Sequence, residues 1–161
     1  MFVLRSKVKI EDASGRQQYG VWDGGSGEIL SVAETPAALS VRFENGRALV
    51  ITDRAPGGTL VEEARWTLEE IRAERPLITA ATQDLFVPQM VNYEKFGGID
   101  FQKGCYPGQE VVARAQYRGE VKRRMVRLPA PAGAALGPGQ AFNGGVVVDS
   151  AGGELLAVMP V

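Results

Sequence analysis

The order of signals along the chain predicts an α+β fold with antiparallel sheet, followed by a small all-β unit. Three observations predict it. Strand-period alternation and an Asn-Gly turn mark the first fifty residues, a helical period follows over about 60–74, and short apolar strands return after Gly119 between Pro- and Gly-rich stretches. A parallel sheet would need strands and helices in alternation, which this order does not offer. The expected units are an α+β domain over 1–118 and a small C-terminal β unit over 119–161.

The first element is a strand in which Phe2, Leu4, Ser6, Val8 and Ile10 share one parity and Arg5, Lys7, Lys9 and Glu11 the other, the period of a half-buried strand. Ala13-Ser14-Gly15 ends it. Gly24-Gly25-Ser26-Gly27 reads as a loop and not a phosphate cradle, because no Walker lysine or following helix accompanies it. Leu39, Val41 and Phe43 alternate with Ser40, Arg42 and Glu44, and Asn45-Gly46 then precedes Ala48-Leu49-Val50-Ile51. Asn-Gly between two such runs predicts a hairpin, since both residues tolerate positive φ.

Thr59-Leu60-Val61-Glu62 has the form of a capping box, and Leu60, Ala64, Leu68 and Ile71 recur at helical spacing until Pro76. Ile99 and Phe101, alternating with Asp100 and Gln102, predict a short strand, and Gln109–Gln116, free of Gly and Pro, predicts a helix. Val121–Leu128 is basic and apolar by turns, Pro129–Pro138 reads as a linker, and Gly144–Val148 and Leu155–Met159 read as strands. Tyr19, Trp22 and Trp66 are expected to pack as ordinary aromatic residues.

Composition narrows the function classes. Lys plus Arg number 18 against 19 for Asp plus Glu, so a net charge of −1 gives no global attraction to nucleic acid or anionic membrane. One cysteine excludes an intramolecular disulfide, and without histidine no zinc-type donor set is expected. No apolar run approaches the ~20 residues that cross a bilayer and no signal peptide is evident, so the expectation is a cytoplasmic protein with no membrane partner.

The chain's only cysteine lies in Lys103-Gly104-Cys105-Tyr106-Pro107-Gly108-Gln109-Glu110. A lone cysteine is more often core than catalyst. Here its neighbours are polar and turn-forming, which argues for exposure. Gly104 permits close backbone approach, Pro107 suits a first helical turn, and the amides of a helix start together with Lys103 would favour a thiolate. Arg114, Arg118, Lys122, Arg123, Arg124 and Arg127 crowd one stretch; a solvated strand face is the ordinary account for the later ones, while Arg114, and less clearly Arg118, suit anion binding. RNA phosphate contact has thin support, because Tyr117 alone among aromatics interleaves with them.

The segment Lys-Gly-Cys-Tyr-x-Gly-Gln-Glu at Lys103–Glu110 resembles the signature of the YgfZ family of folate-binding proteins, relatives of the glycine cleavage aminomethyltransferase. The context is similar too: Phe86-Val87-Pro88-Gln89-Met90-Val91-Asn92, Gly97-Gly98-Ile99-Asp100-Phe101, Val112-Ala113-Arg114 and Tyr117-Arg118-Gly119. Family members are longer, so the resemblance implies a truncated form lacking an amino-terminal segment, with a partial aminomethyltransferase-like folate-binding domain. It also implies tetrahydrofolate, or a derivative, as cofactor. The implied role is an accessory factor for assembly or repair of iron–sulfur clusters in client proteins, including enzymes of tRNA modification, with no direct nucleic-acid contact. Cys105 would be the acting thiol and Lys103 its electrostatic partner, while Tyr106, Gln109, Arg114 and Arg118 would hold the folate. Two alternatives stay open: folate-dependent aminomethyl transfer, and an inactive structural fragment.

Overall fold

The computed structural model describes residues 11–22, 27–104, 107–117, 119 and 121–161. By contacts the chain divides into two compact units, Met1–Leu60 and Val61–Val161. That division falls elsewhere than the 118–119 boundary expected from composition. Both units carry antiparallel sheet, and the two α-helices described lie in the second, which makes the class α+β.

The first unit is a four-stranded antiparallel sheet built from β1 (Gln17–Trp22), β2 (Val32–Glu34), β3 (Ala38–Arg42) and β4 (Arg47–Thr52), in the order β1-β4-β3-β2. The expected hairpin is β3–β4, with Ala38 opposite Thr52 and Arg42 opposite Ala48. Asn45 and Gly46 take φ of 59° and 67°, the left-handed conformation that a tight primed turn demands. The strand expected at Phe2–Ile10 lies outside the described residues, as does most of the Gly24–Gly27 loop.

In the second unit α1 (Glu63–Arg72) packs on a second antiparallel sheet. This sheet runs β5 (Arg123–Pro129), β8 (Glu154–Pro160), β7 (Gly145–Ala151) and β6 (Ala141–Phe142) in spatial order. Ile71, Val91, Met125, Val148, Leu156 and Val158 form its core, with Phe86, Met90, Tyr93 and Ala151 packed around them. A register shift between Val147 and Asp149 marks a bulge in β7, and both Val147 and Val148 are fully buried there.

Two expectations are corrected. The capping box does not form: α1 starts at Glu63 with Glu62 at the N-cap position and no side-chain cap, and Leu60 is 87% exposed instead of facing the core. No strand forms over Ile99–Phe101, because Asp100 Oδ1 accepts from the amides of Gln102 (2.8 Å) and Lys103 (3.2 Å) and turns the backbone out of a ladder.

Candidate functional site

Pro88 opens a 3-10 turn over Pro88–Val91, and a second follows over Tyr93–Phe96. Asn92 joins them at φ 58°, a left-handed conformation that asparagine tolerates better than most residues. The join is buried, and its side-chain amides donate to neighbouring carbonyls. Asn92 Nδ2 donates to the Met125 carbonyl at 2.9 Å, and Gln89 Nε2 donates to the Val112 carbonyl at 2.7 Å. Arg124 Nη1 donates to the Gln89 carbonyl at 2.7 Å and to the Glu94 carboxylate.

This polar group ties the 88–96 segment to β5 on one side and to α2 (Gln109–Tyr117) on the other. The helix expected at Gln109–Gln116 is thus present. Val112 is its one buried residue and Glu110 stands in the first turn, where an acidic side chain is favoured. The approach to α2 is exposed throughout its described length, from Phe101 to Gly104 and again at Pro107 and Gly108. Gly108, immediately before the helix, has φ 82°, a value that requires glycine.

Of the residues singled out in the sequence, Lys103 is exposed before the signature turn, Gln109 is half-buried at the first helical position, and Arg114 is exposed in the last turn of α2. Cys105, Tyr106 and Arg118 lie outside the described residues. Phe101 and Tyr117 meet edge to face at 6.3 Å, and Tyr117 is 71% exposed. Nothing in their spacing, sixteen positions apart, marks these two rings as neighbours. Arg114 presents an exposed guanidinium, the kind of group that carboxylates pair with.

The later basic residues have structural partners. Arg123 Nη2 donates to the Gly144 carbonyl at 2.7 Å, Arg124 belongs to the buried group above, and Arg127 lies 3.6 Å from Glu154 and donates to the Arg72 carbonyl at the end of α1. A cavity of about 290 Å³ lies between the loop Ala130–Leu136 and the turn Ser150–Glu154; none of the candidate site residues lines it. Among the described residues no three His, Cys, Asp or Glu side chains are grouped to hold a metal ion, and no helix is long and apolar enough to cross a membrane.

Sequence reasoning passed over Gln89 and Asn92. Their signal was present in Pro88-Gln89-Met90-Val91-Asn92, two amides within an apolar run, which demand partners once buried.

No family model matches the chain. It is 43% identical over 99 residues to a tRNA-modifying protein YgfZ of Vibrio atlanticus (strain LGP32), a match covering 62% of this chain and 30% of that protein. A tRNA-modifying protein YgfZ of Escherichia fergusonii is 43% identical over 89 residues, covering 49% of this chain and 27% of the relative. One from Escherichia coli (strain K12 / DH10B) is 42% identical over 89 residues, with the same coverage of 49% and 27%. The chain therefore spans less than a third of the length of these curated relatives.

Proposed function

We propose that this chain, a member of the YgfZ family over the segment its relatives match, is part of a tetrahydrofolate-binding accessory factor for iron–sulfur proteins, including those that modify tRNA. The similarity to proteins named for tRNA modification carries the reading, and the exposed approach to the signature segment supports it. In this reading Arg114 holds the ligand's carboxylates, which a guanidinium group pairs with well. Gln109 and Tyr106 are assigned to recognition of the ring system in the same reading. A bound folate supplies a one-carbon or redox-active pterin group, and Cys105 supplies the reacting thiol with Lys103 stabilising its ionised form.

Aminomethyl transfer is less well supported. It needs a carboxylate beside the folate nitrogens, and the Asp100 carboxylate, in the segment leading to the signature, is engaged by the Gln102 and Lys103 amides.

Fluorescence titration of the chain with tetrahydrofolate tests the proposal. Saturable binding that weakens in Arg114→Ala is expected. Absence of saturable binding would favour the inactive-fragment alternative. In the full-length context, Cys105→Ser should fail to restore iron–sulfur enzyme activity to a deletion strain; full restoration would remove the thiol from the mechanism.

A further inference from the structure

Val111, Arg114 and Tyr117 are all exposed and recur at every third position of α2. At about 3.6 residues per turn, Arg114 and Tyr117 stand about 160° and 140° around the helix from Val112, its one buried residue. The row therefore lies on the side of α2 opposite its packed face. Val111 is 55% exposed and Tyr117 71%, so this side is apolar as well as accessible. Phe101 extends it, since its ring, 38% exposed, meets Tyr117 edge to face at 6.3 Å. Arg114 makes no ion pair among the described residues.

Packing does not account for the arrangement. A tyrosine with most of its surface in water gains little from burial, and lysine or glutamate at position 117 would continue the helix at least as well. Two rings inclined at 73° form a corner, however. A third planar ring stacked on one of them presents its edge to the other, and aromatic groups favour both arrangements. One helical turn from Tyr117, a spacing that sets Cβ atoms about 5–6 Å apart, stands the Arg114 guanidinium, which pairs with carboxylates. Corner and cation together suit a ligand with an aryl ring and a carboxylate a few bonds beyond it. The p-aminobenzoyl-glutamate arm of a folate has that form, a flat ring joined through an amide to a dicarboxylate. We infer that Phe101 and Tyr117 bind the benzoyl ring of the ligand, with Arg114 on the glutamate beyond it. This rests on the folate reading above and extends it to two residues that recognise the middle of the ligand.

The test is a calorimetric titration with tetrahydrofolate of the parent chain and of Tyr117→Leu, Phe101→Leu and Tyr117→Phe. Intermolecular nuclear Overhauser effects from the ligand to the Tyr117 ring are recorded in the parent. Leucine is apolar and a good helix former, so Tyr117→Leu at this exposed position should leave the unfolding temperature unchanged. Each leucine variant should bind about three- to tenfold more weakly, the worth of an aromatic pair, while Tyr117→Phe stays within about twofold of the parent. The Overhauser effects should run from the benzoyl protons to Tyr117. Unchanged affinity in either leucine variant overturns the inference, and so does a Tyr117 ring that meets only pterin protons or none. If a leucine variant lowers the unfolding temperature, the Overhauser effects in the parent decide by themselves. A parent that binds no tetrahydrofolate removes the folate reading and this inference together. A parent that binds, with leucine variants that bind equally well, removes this inference and leaves the folate reading standing.

Discussion

Asn92 carries two burdens at one position: a left-handed backbone and a buried hydrogen bond to the Met125 carbonyl at 2.9 Å. Asn92→Ala loses both and should cost about 2–4 kcal/mol of stability in urea unfolding, whereas Asn92→Gly keeps the backbone conformation and should cost about 1–3 kcal/mol. Equal losses in the two variants would mean the backbone is unstrained. Asp149 makes a different prediction. Burial pushes its carboxyl above the ordinary value, against a smaller opposing effect of the Ser150 amide that donates to it at 2.8 Å. The folded state then holds the proton more tightly than the unfolded state, so this group's contribution to stability falls as pH rises from the unfolded carboxyl value through the folded one. Asp149→Asn keeps an acceptor for Ser150 and removes the charge. It should raise the urea midpoint at neutral pH, with the difference vanishing in acid below the ordinary carboxylate range; a lower midpoint at neutral pH would contradict this. Asp149 was not legible as special in the sequence, because it owes its role to a burial that arises only in the fold.

At the scale of elements, the signals that survived are those written in backbone chemistry. Asn45-Gly46 made its hairpin because both residues accept positive φ, and Asn143-Gly144, at φ 46° and 80°, makes the same kind of turn between β6 and β7. The capping box at Thr59 failed because a local pattern competes with packing, and α1 starts one residue after Glu62. Its other end is fixed by the backbone: Glu74 at φ 54°, Arg75 N donating to Glu70 O at 2.9 Å and Glu74 N to Ile71 O at 3.0 Å, a Schellman closure before Pro76. The strand expected at Ile99–Phe101 was lost to a side chain, Asp100, that offered the backbone a better partner. The β7–β8 turn allows a direct test. Gly152 and Gly153 have φ of 58° and 80°, but a Cβ on Gly152 would meet Leu68 Cδ2 of α1 at 2.7 Å, while one on Gly153 meets nothing within 4 Å. Gly153→Ala should cost only the left-handed strain of about 1–2 kcal/mol, and Gly152→Ala about 1–3 kcal/mol more, by urea unfolding. Equal costs would mean α1 yields freely at Leu68.

For the molecule as a whole, the class was readable because strand and helix periods do not mimic each other over long segments, and α+β with antiparallel sheets is what formed. The division at Leu60–Val61 was not readable, since it depends on α1 packing on a sheet whose strands begin some fifty residues later. The candidate site was legible as a motif and illegible as a surface: Lys103, Gln109 and Arg114 were named from the sequence, while the bond from Gln89 to α2 and the Phe101–Tyr117 pair emerged only in three dimensions. The proposed chemistry of that site requires an accessible, readily ionised thiol at Cys105. Its alkylation rate measured against pH, in the parent and in Lys103→Ala, tests this most directly. The account predicts a midpoint below the ~8.5 of free cysteine that rises toward it when the lysine is removed. A parent midpoint at or above that of free cysteine, or a thiol that reacts only on unfolding, would contradict it.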